Sequence, residues 1–122
     1  DWSSDVCSSD LVSAEFAYSL DRRPLADRAR SVNFSSIPDA ILVSGQITGE
    51  AAEISDLTAV KAALPNTPVL ANTGVKHETI GDVFAVADGC IVGSALKFGG
   101  DTWKAVDPQR AKDFMNRVKE FR

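Results

Sequence analysis

Residues 69–97 read VLANTGVKHETIGDVFAVADGCIVGSALK, and this stretch decides the fold. Val69–Asn72 is a short apolar strand and Gly89–Val92 is a second one. Between them, Glu78–Ala87 places Ile80, Val83, Phe84 and Ala87 at helical spacing. Strand, helix and strand over this distance make a βαβ unit, whose two strands must run parallel. Each strand ends in a turn of small residues, Asn72-Thr73-Gly74-Val75 and Val92-Gly93-Ser94-Ala95. Such turns let backbone N–H groups face a shared anion, and each leads towards a helix N-terminus whose dipole favours negative charge.

The same alternation extends outward in both directions. Ala40–Ser44 (AILVS) is a continuous apolar run of the kind that is buried on both faces of a parallel sheet. Gly45 and Gly49 punctuate the loop behind it. Ser55–Leu64 then predicts a helix with Leu57, Val60 and Leu64 on one face, stopped by Pro65. Upstream, Ser13–Tyr18 predicts the first strand and Leu25–Ser35 a helix with Leu25, Ala29 and Val32 as its apolar stripe. Downstream, Asp107-Pro108 reads as an N-cap followed by proline in the first turn. Ala111, Phe114, Met115, Val118 and Phe121 form the apolar face of that last helix. The fold class is therefore α/β, with four parallel strands each followed by a helix and joined by right-handed crossovers.

The bulk composition narrows the function classes. A chain of 122 residues, 44% hydrophobic and 25% charged, suits one globular unit with a real core. No apolar run approaches the roughly 20 residues a membrane helix needs. The net charge is -4 and the basic residues are scattered, which argues against nucleic acid as a partner. With Cys7 and Cys90 as the only cysteines and His77 as the only histidine, neither a disulfide framework nor a zinc cluster is expected. No metal or cofactor is expected, and a reducing, cytoplasmic setting fits this usage.

Residues 1–11, DWSSDVCSSDL, differ from the rest. They carry no strand or helix period and no signal-peptide pattern. The string matches the in-frame translation of a common sequencing adapter along all eleven residues. The expectation is a disordered, non-native leader over 1–11 and a native sequence that begins near Val12, inside a longer gene. The alternative is a natural Ser/Asp-rich tail. On the first reading Trp2 and Cys7 carry no function. Removing Asp1, Asp5 and Asp10 leaves 14 acidic against 13 basic residues.

From Val12 onward the chain resembles the C-terminal half of the BtpA/SgcQ family, named in part for a photosystem I biogenesis factor. The residues that carry the resemblance are Asp39–Gly45 with Thr48-Gly49-Glu50, then Pro68–Val75, then Ala87–Lys97. The tail Gly100-Asp101-Thr102-Trp103, Val106-Asp107-Pro108 and Phe114-Met115 also matches. The resemblance implies a (β/α)8 TIM barrel, with residues 12–122 spanning strand 5 to helix 8. It implies an acid in the first strand, the place taken by Glu15. Basic or imidazole side chains are expected shortly after that acid, where this chain has Ala17, Ser19 and Leu20.

In a barrel of this kind the loops after the last two strands often build a phosphate site. Thr73, Gly74, Gly93 and Ser94 are accordingly expected to cradle a phosphate, the alternative being plain turn chemistry and capping. Ser44, Gly45, Thr48, Gly49 and Asn72 are expected to shape a substrate loop, or else an ordinary loop and a turn-supporting asparagine. Glu15 is a candidate general acid or base, with a structural ion pair as its rival. Glu50 and Lys97 read as surface charges, the alternative being reach to the barrel mouth; His77 reads as a surface group before a catalyst, Cys90 as a buried inert thiol, and Trp103 as packing on the final helix before a cover over the site mouth. Two functions follow. The first is a phosphometabolite-binding barrel, an isomerase- or lyase-type enzyme when complete, of which this fragment would be inactive. The second is a non-enzymatic assembly factor acting by protein contacts, with peripheral membrane association. Four βα units cannot close a barrel, so self-association is also expected.

Overall fold

Ala40–Val43 (β2) is buried at all four positions, as its unbroken apolar run demands. Parallel strands flank it on both sides, β1 (Ser9–Ser13) and β3 (Val69–Ala71), and β3 in turn pairs with β4 (Gly89–Cys90). The sheet order is β1-β2-β3-β4. Ser9 stands opposite Ala40, Ile41 opposite Val69 and Leu70 opposite Gly89. These elements belong to a computed structural model that describes residues 9–13, 18–47 and 49–122. Helices α1 (Leu25–Ser36), α2 (Ile54–Ala63), α3 (Ile80–Val86) and α4 (Pro108–Lys119) follow the four strands in turn.

Side-chain alternation along the strands divides the sheet into two faces. Ile41, Val43, Val69 and Ala71 point to the helices and form the core with Ala29, Leu57, Val60, Ile80, Val83 and Phe114. Ile41, Leu57 and Ile80 have no exposed surface, and burying each stabilises the fold by about 1.5–3 kcal/mol. Leu42 and Leu70 lie on the opposite face, in register with Leu11. Each helix touches the next, so the helices line up as one layer.

Polar contacts fix the N-terminal end of the sheet. Asp88 Oδ2 accepts from Lys61 Nζ at 2.8 Å and from the Val69 amide at 2.8 Å. This ties α2 to the first residue of β3 and to the approach to β4. Burial pushes the Asp88 carboxyl upward. The Lys61 and Val69 hydrogen bonds and the Lys61 and Arg122 charges outweigh it, so its pKa lies below the ordinary carboxylate value. At the start of α4, Asp107 Oδ1 accepts from the Gln109 amide at 2.9 Å and the Arg110 amide at 3.4 Å. That is the N-cap read from Asp107-Pro108.

Several boundaries differ from the sequence reading. β1 lies at Ser9–Ser13, ahead of the expected Ser13–Tyr18, and takes in Ser9–Leu11 of the string expected to lie outside the fold as a disordered leader. Parallel pairing uses backbone N–H and C=O groups, so weak β propensity in SDLVS does not prevent it. Val12 supplies the buried anchor there. Glu15 falls outside the described residues, as does Thr48. α3 begins at Ile80 instead of Glu78, because Lys76–Thr79 closes a turn through the Thr79 amide to Lys76 O at 3.1 Å. β4 stops at Cys90, although the Ile91 amide still reaches Ala71 O at 2.8 Å.

Candidate functional site

The C-terminal ends of β2, β3 and β4 meet at one edge of the sheet, and the loops leaving them are built differently. The first two are locked together. The Gly45 amide donates to Thr73 Oγ1 at 2.7 Å in a buried contact, and Asn72 Nδ2 donates to Ser44 Oγ at 2.8 Å. Gly74 has φ +67°, and a Cβ there would lie 2.2 Å from the Ala51 amide nitrogen. A Cβ on Gly45 would lie 2.3 Å from Glu50 O. Both glycines are therefore required by backbone packing, Gly74 between the two loops and Gly45 within the loop after β2.

Gly93 is different. Its φ is -121°, and a Cβ added there would meet nothing within 4 Å. Crowding does not account for a glycine at this position. What lies in front of it is a cavity of about 610 Å³. Asn72, Thr73, Gly74, Gly93, Ser94 and Gly49 line this cavity, so six of the expected site residues converge on it. Its size falls in the range of small-molecule sites. Ser44 and Gly45 stand behind this wall. Ser44 is 3% exposed and supports Asn72.

The wall after β4 carries no regular helix of its own. Ser94–Leu96 and Phe98–Gly100 are single 3₁₀ turns, and α4 begins only at Pro108. The expected entry of each turn into a helix N-terminus is thus corrected. β3 is followed by an intervening turn and the seven-residue α3, and β4 by a 3₁₀ turn. Ser94 Oγ and the Thr102 hydroxyl are 2.7 Å apart, and Lys97 Nζ donates to Thr102 O, which folds residues 97–106 back on themselves. The Lys97–Val106 bridge closes this loop. Lys97 is thereby a loop strut and not a free surface charge.

Other positions were not legible as site residues. Arg110, Lys76 and Thr102 line the cavity. Arg110 reaches it from α4, 15 residues beyond Ala95, and no local spacing announces that approach. His77 is exposed as expected, yet it sits on the cavity rim beside Glu78. Trp103 does not pack on the final helix: it is 94% exposed. Cys90 is half-buried instead of buried, and desolvation raises its thiol pKa. Among the described residues, no three His, Cys, Asp or Glu side chains converge as a metal site requires. Among the same residues, no helix is long and apolar enough to cross a membrane.

Comparison with known proteins decides the family. The model of the BtpA family matches residues 5–120. The chain belongs to the BtpA family. As a BtpA member it is similar to the putative sgc region protein SgcQ of Escherichia coli, with 37% identity over 108 residues. That alignment covers 88% of this chain and 40% of SgcQ. It is similar to the photosystem I biogenesis protein BtpA of Synechocystis, with 34% identity over 84 residues, 69% of this chain and 29% of that protein. An uncharacterised protein of Pyrococcus horikoshii is 37% identical over 84 residues, again 69% of this chain and 32% of the relative. The chain thus spans well under half the length of these BtpA-family relatives. BtpA proteins are TIM barrels, and the four successive parallel βα units form half of one.

Proposed function

We propose that this chain carries the anion-anchoring half of a site for a small phosphorylated metabolite, at the turns around Gly74 and Gly93. Gly93 carries the reading: a residue without a side chain, not required by packing, opens onto a cavity where the turns after β3 and β4 meet. Lys76 and Arg110 add positive charge to the same cavity. Functional sites in such barrels lie at the C-terminal ends of the strands, with phosphate held after the last two. Asn72, braced by Ser44, offers a polar group to the rest of the ligand. In the whole protein, which we take to act in the cytoplasm, further strands would supply the chemistry of an isomerase or lyase. The rival reading, an assembly factor acting by protein contacts, draws on the name of the Synechocystis relative and on no feature of this cavity.

The test is calorimetric titration and thermal shift of the 122-residue chain with inorganic phosphate and a panel of sugar phosphates. Binding should be present in the unsubstituted chain. Gly93→Asp, which has space for its side chain, should fold and lose that binding through charge repulsion. No binding by the unsubstituted chain, or unchanged binding by Gly93→Asp, defeats the reading.

A further inference from the structure

The backbone of α4 cannot supply the charge that a phosphate needs here. Asp107 Oδ1 already holds the Gln109 and Arg110 amides, and it places a carboxylate at that helix end. The Arg110 side chain is arranged otherwise. Its Nε donates to Ala95 O at 2.8 Å, which pins the guanidinium to the turn after β4. Neither Nη nitrogen has a hydrogen-bond or ion-pair partner among the described residues, and Arg110 lines the cavity. Gly100, at φ +71°, lies beside Arg110: a Cβ there would stand 3.7 Å from Nη2, in ordinary contact.

From this geometry we infer that Arg110 is a ligand-binding cation of the site and takes two oxygens of the ligand's phosphate group. The inference rests on the phosphate reading of the cavity. A guanidinium anchored through Nε presents Nη1 and Nη2 as a fixed pair of donors, matched to two oxygens of one phosphate. Ala95 O acts as the positioning group and orients the fork at little further entropic cost. Lysine could keep the charge but could not be oriented this way. A structural rival exists, in which Arg110 serves only to brace Ala95.

Two measurements on the 122-residue chain separate these possibilities. The first follows the Arg110 Nε–H signal by ¹⁵N NMR during titration with inorganic phosphate, the signal being assigned by its loss in Arg110→Lys. The second compares phosphate affinity in the unsubstituted chain, Arg110→Gln, Arg110→Lys and Gly93→Asp. The expected results are a saturable shift of the Arg110 signal and a loss of affinity of about tenfold or more in Arg110→Gln. Arg110→Lys should fall between the two. If phosphate binds, Gly93→Asp abolishes it, and Arg110→Gln stays within twofold with an unmoved Arg110 signal, the assignment of Arg110 is overturned while the site stands. If phosphate does not bind the unsubstituted chain, or Gly93→Asp binds normally, the site reading fails and this inference fails with it. Should Arg110→Gln not fold, the titration of the unsubstituted chain decides alone.

Discussion

Replacing Gly74 by alanine tests whether the loops after β2 and β3 are locked as one unit. The new Cβ would sit 2.2 Å from the Ala51 nitrogen, 2.4 Å from Ala51 Cα and 2.4 Å from Glu50 C, all of them backbone atoms. Ordinary contact begins near 3.4 Å, so the Glu50–Ala51 segment must retreat by about 1.2 Å. It cannot do so without disturbing the loop that Gly45 ties to Thr73. Overpacking of this kind costs about 1–3 kcal/mol. An L residue at φ +67° adds about 1–2 kcal/mol of backbone strain. The expected loss is therefore about 2–5 kcal/mol, a large part of the 5–15 kcal/mol typical of a domain. Urea unfolding followed by circular dichroism, at fixed protein concentration, should show the midpoint falling by about 1–3 M. Gly93→Ala is the control and should stay within about 0.5 kcal/mol of the parent. Equal, small effects of the two substitutions would refute the distinction between a packed glycine and an open one.

Three further outcomes are expected. Asp88→Asn should cost about 1 kcal/mol, discounted for its partial exposure. Because the folded-state pKa of Asp88 is depressed, its contribution is full above the unfolded value near 4 and fades as pH falls through the lower folded value. Acid titration of stability should thus be shallower in Asp88→Asn, and identical acid limbs would contradict the assignment. Trp103→Ala should leave the melting temperature unchanged within about 0.5 kcal/mol equivalent, since the indole is exposed, and a larger drop would reveal packing that the geometry denies it. Sedimentation velocity should show self-association, because β1 and β4 are edges and Leu11 and Ile91 expose apolar surface. A monodisperse monomer at all concentrations would count against it.

The parts of the fold legible in the sequence are those where local chemistry and tertiary role agree. Ala40–Val43 announces itself because all four residues are buried. Asp107-Pro108 announces α4 because its cap is made within three residues. β1 lies four residues ahead of the expected strand because Ser9–Ser13 pairs through its backbone, while the stronger apolar signal sits downstream in Phe16 and Tyr18. The turns at Gly74 and Gly93 were legible as a pair, but not their difference, since both read as small residues after a strand. The close approach of Glu50–Ala51 and the positive φ of Gly74 separate them. Arg110 was invisible for a related reason: its link to Ala95 is tertiary and leaves no local period.

The uniform parallel pairing of the sheet also bears on the order in which it can assemble. Ser9 pairs with Ala40, Ile41 with Val69 and Leu70 with Gly89, so successive partners lie 31, 28 and 19 residues apart. No hairpin offers a shorter nucleus among the described strands. Loop-closure entropy makes the last pair cheaper to close than the first by about 0.4 kcal/mol. The two strands that deliver the turns at Gly74 and Gly93 are thus the ones most readily joined, while the pairing of β1 waits on the longest search.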